Sequence, residues 1–204
     1  MGAKPPTKVS RTALVVLALV ALVVFAIDQT TKYLVVANLT EHVQVEVLGR
    51  LLQFYFVKNS GAAFSIGSGS TWIFSVIATG VLIFVVWFAP RIRSVGWAVL
   101  FGLLLGGLLG NLTDRLTRAP GFGRGEVVDF LQIPLLPAIF NLADAAIVSS
   151  MVLFLILTLK GVGLDGTRHV KAVGSGDGSP LPPVKPSGPD AAETDASHRH
   201  PSAS

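Results

Sequence analysis

The chain contains no cysteine. That absence excludes disulfides, thiol nucleophiles and cysteine-ligated metals together, and it suits outer loops that face an oxidising space. Charge is scarce as well, with Asp, Glu, Lys and Arg making up 14% of the residues where soluble domains carry about a quarter. Acid is missing altogether from residues 1–11, which carry Lys4, Lys8 and Arg11, and from "PRIRSVG" at 90–96, which carries Arg91 and Arg93. There is no internal repeat, no phosphate-cradling glycine loop and no heptad pattern.

What fills the chain instead is apolar sequence, 51% of all residues, and it is bunched rather than periodic. Segments 12–27, 71–89, 95–112 and 137–159 approach the roughly 20 residues that cross a bilayer core of about 30 Å. The first and third are short and extend into flanking polar turns. A polytopic membrane protein is the expected class. The bases ahead of the first segment also fit a cleaved signal peptide. However, "VVFAIDQTTKYL" passes straight from apolar sequence into a helix-compatible charged turn, which favours an uncleaved first helix.

The basic flanks set the expected orientation. Lys160, Arg168 and Lys171 follow the last segment, whereas loops 28–70 and 113–136 mix bases with Glu41, Glu46, Glu126 and Asp129. Both termini are therefore expected in the cytoplasm and both loops outside, so the net charge of +4 reflects topology and calls for no nucleic acid. Residues 1–11 read as a cytoplasmic tail and 12–159 as the membrane domain. Residues 160–204 are rich in Gly, Pro and Ser and read as a disordered cytoplasmic tail. His198 and His200 in that tail lack a third ligand nearby. In the first outer loop, "VQVEVLGRLLQFYFVKNSGAAFSIG" alternates early and then turns aromatic. This pattern predicts short strands on the membrane surface.

Asp28, Asp114, Asp129 and Asp144 all lie near the outer ends of the spans. Carboxylates in or beside a membrane are functional candidates, because holding them there costs several kcal/mol unless they are paired or solvated. Asp28 and Lys32 stand at i,i+4 in "DQTTK", a spacing that puts both on one helical face and predicts an interfacial ion pair anchoring the end of the first helix, with a catalytic role for Asp28 as the alternative. Asp114 adjoins Arg115 in "GNLTDRL", and a bidentate Arg–carboxylate scaffold is expected there. The glycines of "GLLLGGLLGN" suit close helix packing. Asp129 in "VVDF" and Asp144 in "NLADAA" have apolar neighbours and no base at helical spacing. Two such groups brought together share a proton, one acting as base and the other as acid, and so activate water against an amide without a metal or a Ser or Cys nucleophile. The same residues also suit two independent structural aspartates. Asn59, Asn111 and Asn141 stand at element ends, where an amide either orients a partner or caps a helix.

In order along the chain, "DQTTK" (28–32), "NSGAAFS" (59–65), "GNLTDR" (110–115), "VVDF" (127–130) and "FNLADAAI" (140–147) resemble the motif set of the bacterial lipoprotein signal peptidases, the signal peptidase II family. The resemblance covers about residues 12–159. It implies an all-α membrane protein of four transmembrane helices, with a small extracytoplasmic β-rich cradle and an extracytoplasmic helical or loop segment. It also implies an intramembrane aspartic endopeptidase of the bacterial cytoplasmic membrane. Such an enzyme cleaves diacylglyceryl prolipoproteins just before the lipidated cysteine, with membrane lipids as its surroundings, and no cofactor or metal is expected. By motif, Asp129 and Asp144 fall on the catalytic pair. Asp28, Lys32, Asn59, Asn111, Arg115 and Asn141 fall on supporting and substrate-contacting positions, with Asp114 as scaffold, and a monomer is expected. Phe54, Tyr55, Phe56 and Phe64 suit an apolar lid or ordinary interfacial aromatics. "LTRAPGFGRGE" is longer and more basic than the family's usual connection, and "LQIPLLPAI" is compact and apolar. A proton-coupled transporter would spread its carboxylates through the membrane depth, and a noncatalytic scaffold would not need the polar motifs.

Overall fold

The computed structural model describes residues 9–61, 71–133, 136 and 138–167. Four helices, α1 (Arg11–Asn38), α2 (Thr71–Phe88), α3 (Val95–Thr117) and α4 (Leu142–Leu159), are each long and apolar enough to span a membrane. Their outward residues are apolar, among them Leu19 and Leu22 of α1, Ile77 and Phe84 of α2, and Val152 and Leu155 of α4. A surface of that kind is stable against lipid and not against water.

The first helix starts where Ser10 accepts the Ala13 N–H, and it runs far past the apolar run that announces it. Its 28 residues reach about 42 Å at 1.5 Å per residue, so "DQTTK" is helical and the outer loop begins after Asn38, not at Asp28. The fourth helix is shorter than its apolar run. Residues 139–140 are strand, and helix begins only after Asn141. Segment α2 passes into a 3-10 turn at Ala89–Arg91, where Pro90 lacks the N–H needed to continue.

Lipid supplies no hydrophobic drive between helices, so close packing of small residues holds them together. Gly102 and Gly106 of α3 lie against α1. A Cβ at Gly106 would stand 2.7 Å from both the Ala21 carbonyl oxygen and Val24 Cβ. Gly107 lies against Ala143 and Ile147 of α4. At the end remote from the carboxylates, Ala13, Leu17, Ile92, Trp97, Ala98, Leu100 and Leu157 form an apolar core. The chain after α4 folds back onto this core. Leu164 carbonyl accepts the Arg93 and Ser94 N–H groups (2.9 and 3.0 Å), and Trp97 Nε1 donates to Val162 carbonyl at 3.0 Å. Residues 161–167 are therefore packed, because Val162 and Leu164 find apolar partners there. The remainder of the expected disordered tail, 168–204, lies outside the described residues, as do 1–8 and Phe64.

At the opposite end sits a four-stranded antiparallel sheet in the order β1 (Gln44–Glu46), β2 (Gln53–Asn59), β3 (Val127–Gln132), β4 (Ile139–Phe140). The strands expected in the first outer loop are β1 and β2. The sequence did not announce that "VVDF" of the second loop is β3, paired with β2 so that Val57 faces Asp129 and Lys58 faces Val128. Alternation along β3 sends Val128 and Phe130 into a core with Val35 and Phe56, and sends Asp129 the other way. Phe54 meets Phe130 edge-on, with ring centroids 6.0 Å apart, and Phe56 is buried in the same core. Phe56 is thus a core residue of the sheet, and Phe54 is half-buried against that core. The second outer connection, 118–126, is built of turns.

Gly106→Val should lower the melting temperature in detergent micelles by the equivalent of about 1–3 kcal/mol, the usual cost of forcing bulk into a packed interface. Gly80→Ala on α2, where nothing lies within 4 Å of an added Cβ, should leave stability unchanged or slightly higher. Equal losses at both positions would contradict the packing account.

Candidate active site

Lys32 is fully buried, and each N–H of its ammonium has an acceptor. Asp28 Oδ2 and Asp114 Oδ2 are each 2.9 Å away, and Asn111 Oδ1 accepts at 2.9 Å. That uses the group's whole donor capacity. The Asp28–Lys32 pair expected from i,i+4 spacing is present, but inside the bundle rather than at an interface. Asp28 also accepts the Ala143 N–H at 3.0 Å and Gln29 Nε2 at 3.1 Å, tying α1 to the first turn of α4. Gly110 leaves room for the Asp28 carboxylate, which an added Cβ would strike.

Asp114 corrects the sequence reading. Its partners are Lys32 and Arg118, whose Nε stands 2.7 Å from Asp114 Oδ1, and it accepts the Val128 N–H at 3.3 Å. Arg115 makes no ion pair with it, because adjacent residues on a helix point in different directions while i,i+4 residues share a face. Arg115 instead donates Nη1 to the Asn111 carbonyl at 3.3 Å and lies 5.7 Å from the Phe74 ring centre. Its buried Nε has no hydrogen-bond partner among the described residues.

The two aspartates with apolar sequence neighbours are joined through asparagine. Asn141 caps α4. Its side-chain oxygen accepts the Asp144 N–H at 3.0 Å, and its own N–H donates to Asp144 Oδ2 at 3.2 Å. The same Asn141 side chain donates Nδ2 to Asp129 Oδ1 at 2.6 Å and to Asn111 Oδ1 at 3.1 Å. Capping and orienting are thus one arrangement. Asn59, at the end of β2, donates to Asp129 Oδ2 at 2.8 Å, and Asn111 donates to Asp144 Oδ1 at 2.7 Å. Asp129 is buried, whereas Asp144 is partly open.

Burial pushes the Asp129 carboxyl up from 3.8 to about 6. The Asn59 hydrogen bond opposes that rise, the Asp144 charge adds to it, and Asn141 and the Lys32 charge pull it back. The Lys32 charge thus acts on Asp129, which has no base at helical spacing in the sequence.

The structure brings together Asp28, Lys32, Asn59, Asn111, Asp114, Asp129, Asn141 and Asp144 in one connected network, with Arg115 beside it. Sequence reasoning missed Arg118 and Gln29. The i,i+4 rule that pairs Asp28 with Lys32 also pairs Asp114 with Arg118, so that signal was available. For Gln29, whose Nε2 reaches the Gly110 carbonyl at 3.1 Å, the sequence carried no signal. Among the described residues no group of three or more His, Cys, Asp or Glu side chains is arranged to hold a metal ion.

Comparison with known proteins agrees with this architecture. The family model for signal peptidase (SPase) II matches residues 20–160. The lipoprotein signal peptidase of Leifsonia xyli subsp. xyli is 73% identical over 80% of this chain and 76% of its own length. That of Streptomyces griseus is 49% identical over 74% of this chain and 76% of its own length. A solved bacterial membrane enzyme superimposes with a TM-score of 0.66 at 30% identity, over 81% of this chain and 99% of that one. A second such enzyme gives 0.64 at 32% identity, over 75% and 97%. The fold and these relatives define an intramembrane aspartic peptidase. The chain belongs to the signal peptidase II family.

Folded Asp129 keeps its proton to about pH 6 and the unfolded chain only to about 3.8. The native state therefore binds more protons between these values, and stability falls as pH rises through that window. The drop attributable to Asp129 is on the order of 3 kcal/mol. Melting temperatures in micelles across pH 4–7 should show a decline that Asp129→Ala removes. Parallel curves for the two proteins would contradict the perturbed carboxyl.

Proposed function

We propose that the protein removes the signal peptide from diacylglyceryl prolipoproteins, cleaving just before the lipidated cysteine, with Asp129 and Asp144 as the catalytic pair. The observation that carries this reading is the double role of Asn141, which grips Asp129 with its amide and Asp144 through both halves of a capping box. That geometry holds two carboxylates beside one another on a rigid strand and a rigid helix start. Burial favours one proton on the pair, and the shared proton is a property of the pair rather than of either residue.

In the proposed reaction a water between the carboxyls gives a proton to the ionised aspartate as its oxygen attacks the scissile carbonyl carbon. The protonated aspartate passes its proton to the carbonyl oxygen. Collapse of the tetrahedral diol breaks the C–N bond, and the first aspartate gives its proton to the amine of the departing cysteine. The second takes back a proton from a diol hydroxyl, which leaves a carboxylic acid on the signal peptide and restores one proton on the pair. Asn59, Asn111 and Asn141 fix the carboxylate planes, and Arg115 stands beside the pair as a counter-charge with an unused N–H for substrate. A cavity of about 670 Å3 between α2 and α3 is lined by Trp72, Val76, Ile83, Leu112 and Leu116, so apolar substrate has room one residue from Asn111.

The distribution of bases supports cytoplasmic termini, and hence an active site toward the extracytoplasmic face of the bacterial cytoplasmic membrane. All four carboxylates stand at the same end of the bundle, which favours a localised site over a transmembrane proton relay.

Asp129→Asn and Asp144→Asn should each lower cleavage of a diacylglyceryl reporter peptide by purified protein about a thousandfold or more, as expected when an acid–base pair is broken. Membrane insertion should be retained and is read separately by fractionation. Each carboxylate accepts on both oxygens, so an amide there also meets a donor and some loss of stability is expected. Full activity in either variant would overturn the pair.

A further inference from the structure

We propose that Arg118, in the turn that follows α3, is a positioning residue that sets the charge balance of the buried network supporting the aspartate pair. This inference rests on the peptidase reading above. The argument begins with a charge count. Asp28 and Asp114 bring two negative charges into a fully buried cluster, and Lys32 between them brings one positive charge. An uncompensated buried charge is costly enough to break such a cluster. The missing cation is Arg118, whose Nε bonds Asp114 Oδ1 at 2.7 Å on the side away from Lys32. Arg115 does not fill this place, since it forms no ion pair with Asp114 and its guanidinium instead meets the Asn111 carbonyl and the Phe74 ring.

From Arg118 the contacts run without a gap to the reacting groups. Arg118 holds Asp114, Asp114 holds Lys32, Lys32 donates to Asn111, and Asn111 donates to Asp144. Loss of Arg118 frees one oxygen of Asp114 and draws Lys32 toward it, and therefore away from Asn111. The expected consequence is a misoriented Asp144 rather than a weaker grip on substrate.

The turn around Arg118 is built to hold it. Its N–H caps α3 on the Asp114 carbonyl at 2.9 Å, Gly125 N–H bonds the Arg115 carbonyl at 2.9 Å, and Glu126 N–H bonds the Ala119 carbonyl at 3.0 Å. Gly125 lies so close over the carbonyls of Asp114, Arg115 and Arg118 that a Cβ would collide with them. Of the four charged groups in the cluster, Arg118 alone reaches the surface, with 29% of its side chain exposed. Its free end lines a cavity of about 340 Å3 with Lys58 and Glu126. No hydrogen bond to its terminal nitrogens occurs among the described residues.

The test is steady-state cleavage of a diacylglyceryl reporter peptide by purified full-length protein in micelles. Arg118→Gln should lower kcat about tenfold or more with KM within about threefold, the pattern of a lost transition-state arrangement rather than of lost binding. Arg118→Lys, which keeps the charge, should recover most of kcat. In the Asp114→Asn background, adding Arg118→Gln should cost nothing further, because the two residues act as one unit. Wild-type kcat in Arg118→Gln, a change confined to KM, a Lys variant as impaired as the Gln variant, or additive losses with Asp114→Asn would each overturn the proposal. Should Arg118→Gln alone fail to fold, the pair Asp114→Asn/Arg118→Gln, which removes one charge of each sign, should restore folded protein, and failure to do so would likewise overturn it. A wild-type protein that does not cleave the reporter would instead refute the peptidase reading, which separates the two.

Discussion

The structure depends on one buried ammonium. Lys32 has given up its hydration entirely, and the group is tolerable only because two carboxylates and an amide oxygen replace that water at hydrogen-bond distance. Those acceptors come from two helices; Asp28 Oδ1 also accepts from the start of α4, and Asp114 Oδ2, the oxygen that meets Lys32, also accepts from the backbone of β3. Helices α1, α3 and α4 and the strand that carries Asp129 therefore meet around a single positive charge. A small shift of any one of them leaves an ion or a polar group unsatisfied. This is a sharper constraint than apolar contact can give, especially in lipid, where one apolar surface is nearly as good as another.

The glycines of α3 make the cluster possible. Close approach of α1 and α4 to α3 brings charged side chains from different helices within 3 Å of each other, and side chains at Gly106, Gly107 or Gly110 would hold the helices apart. Packing and electrostatics cooperate here. The absence of side chains at one set of positions lets long charged side chains at another set find partners.

Above the cluster, amides rather than charges do the orienting. Asn59, Asn111 and Asn141 contact Asp129 and Asp144 without neutralising them. Asn59 ends β2 and Asn141 caps α4, whereas Asn111 lies inside α3 and not at the element end expected of it, so the backbone of each is fixed. Asn141 is both the cap of α4 and the link between the aspartates, so the start of that helix and the geometry of the pair cannot vary separately. The sheet supplies the other half. Strand β3 shows one face to the apolar core and the other to the helices, and the alternation that buries Val128 and Phe130 aims Asp129 at Asn141.

The sequence by itself determined the class of protein, the existence of four spans and most of the residues that the fold brings together. Long apolar runs have no other stable environment than lipid, and carboxylates beside them are too costly to keep without a use. Local rules also reached the Asp28–Lys32 pair, because i,i+4 geometry belongs to any helix. Only the tertiary structure decided who partners whom across elements. That Lys32 serves Asp114 as well as Asp28 depends on residues far apart in the chain. That "VVDF" is a strand on the first loop's sheet depends on long-range pairing, which a six-residue apolar run does not encode. Adjacency suggested Arg115 for Asp114, and the helix turned Arg115 away and brought Arg118 instead. Sequence proximity reports which chemical groups are present, but their directions in space follow from backbone geometry and from packing that only the folded chain supplies.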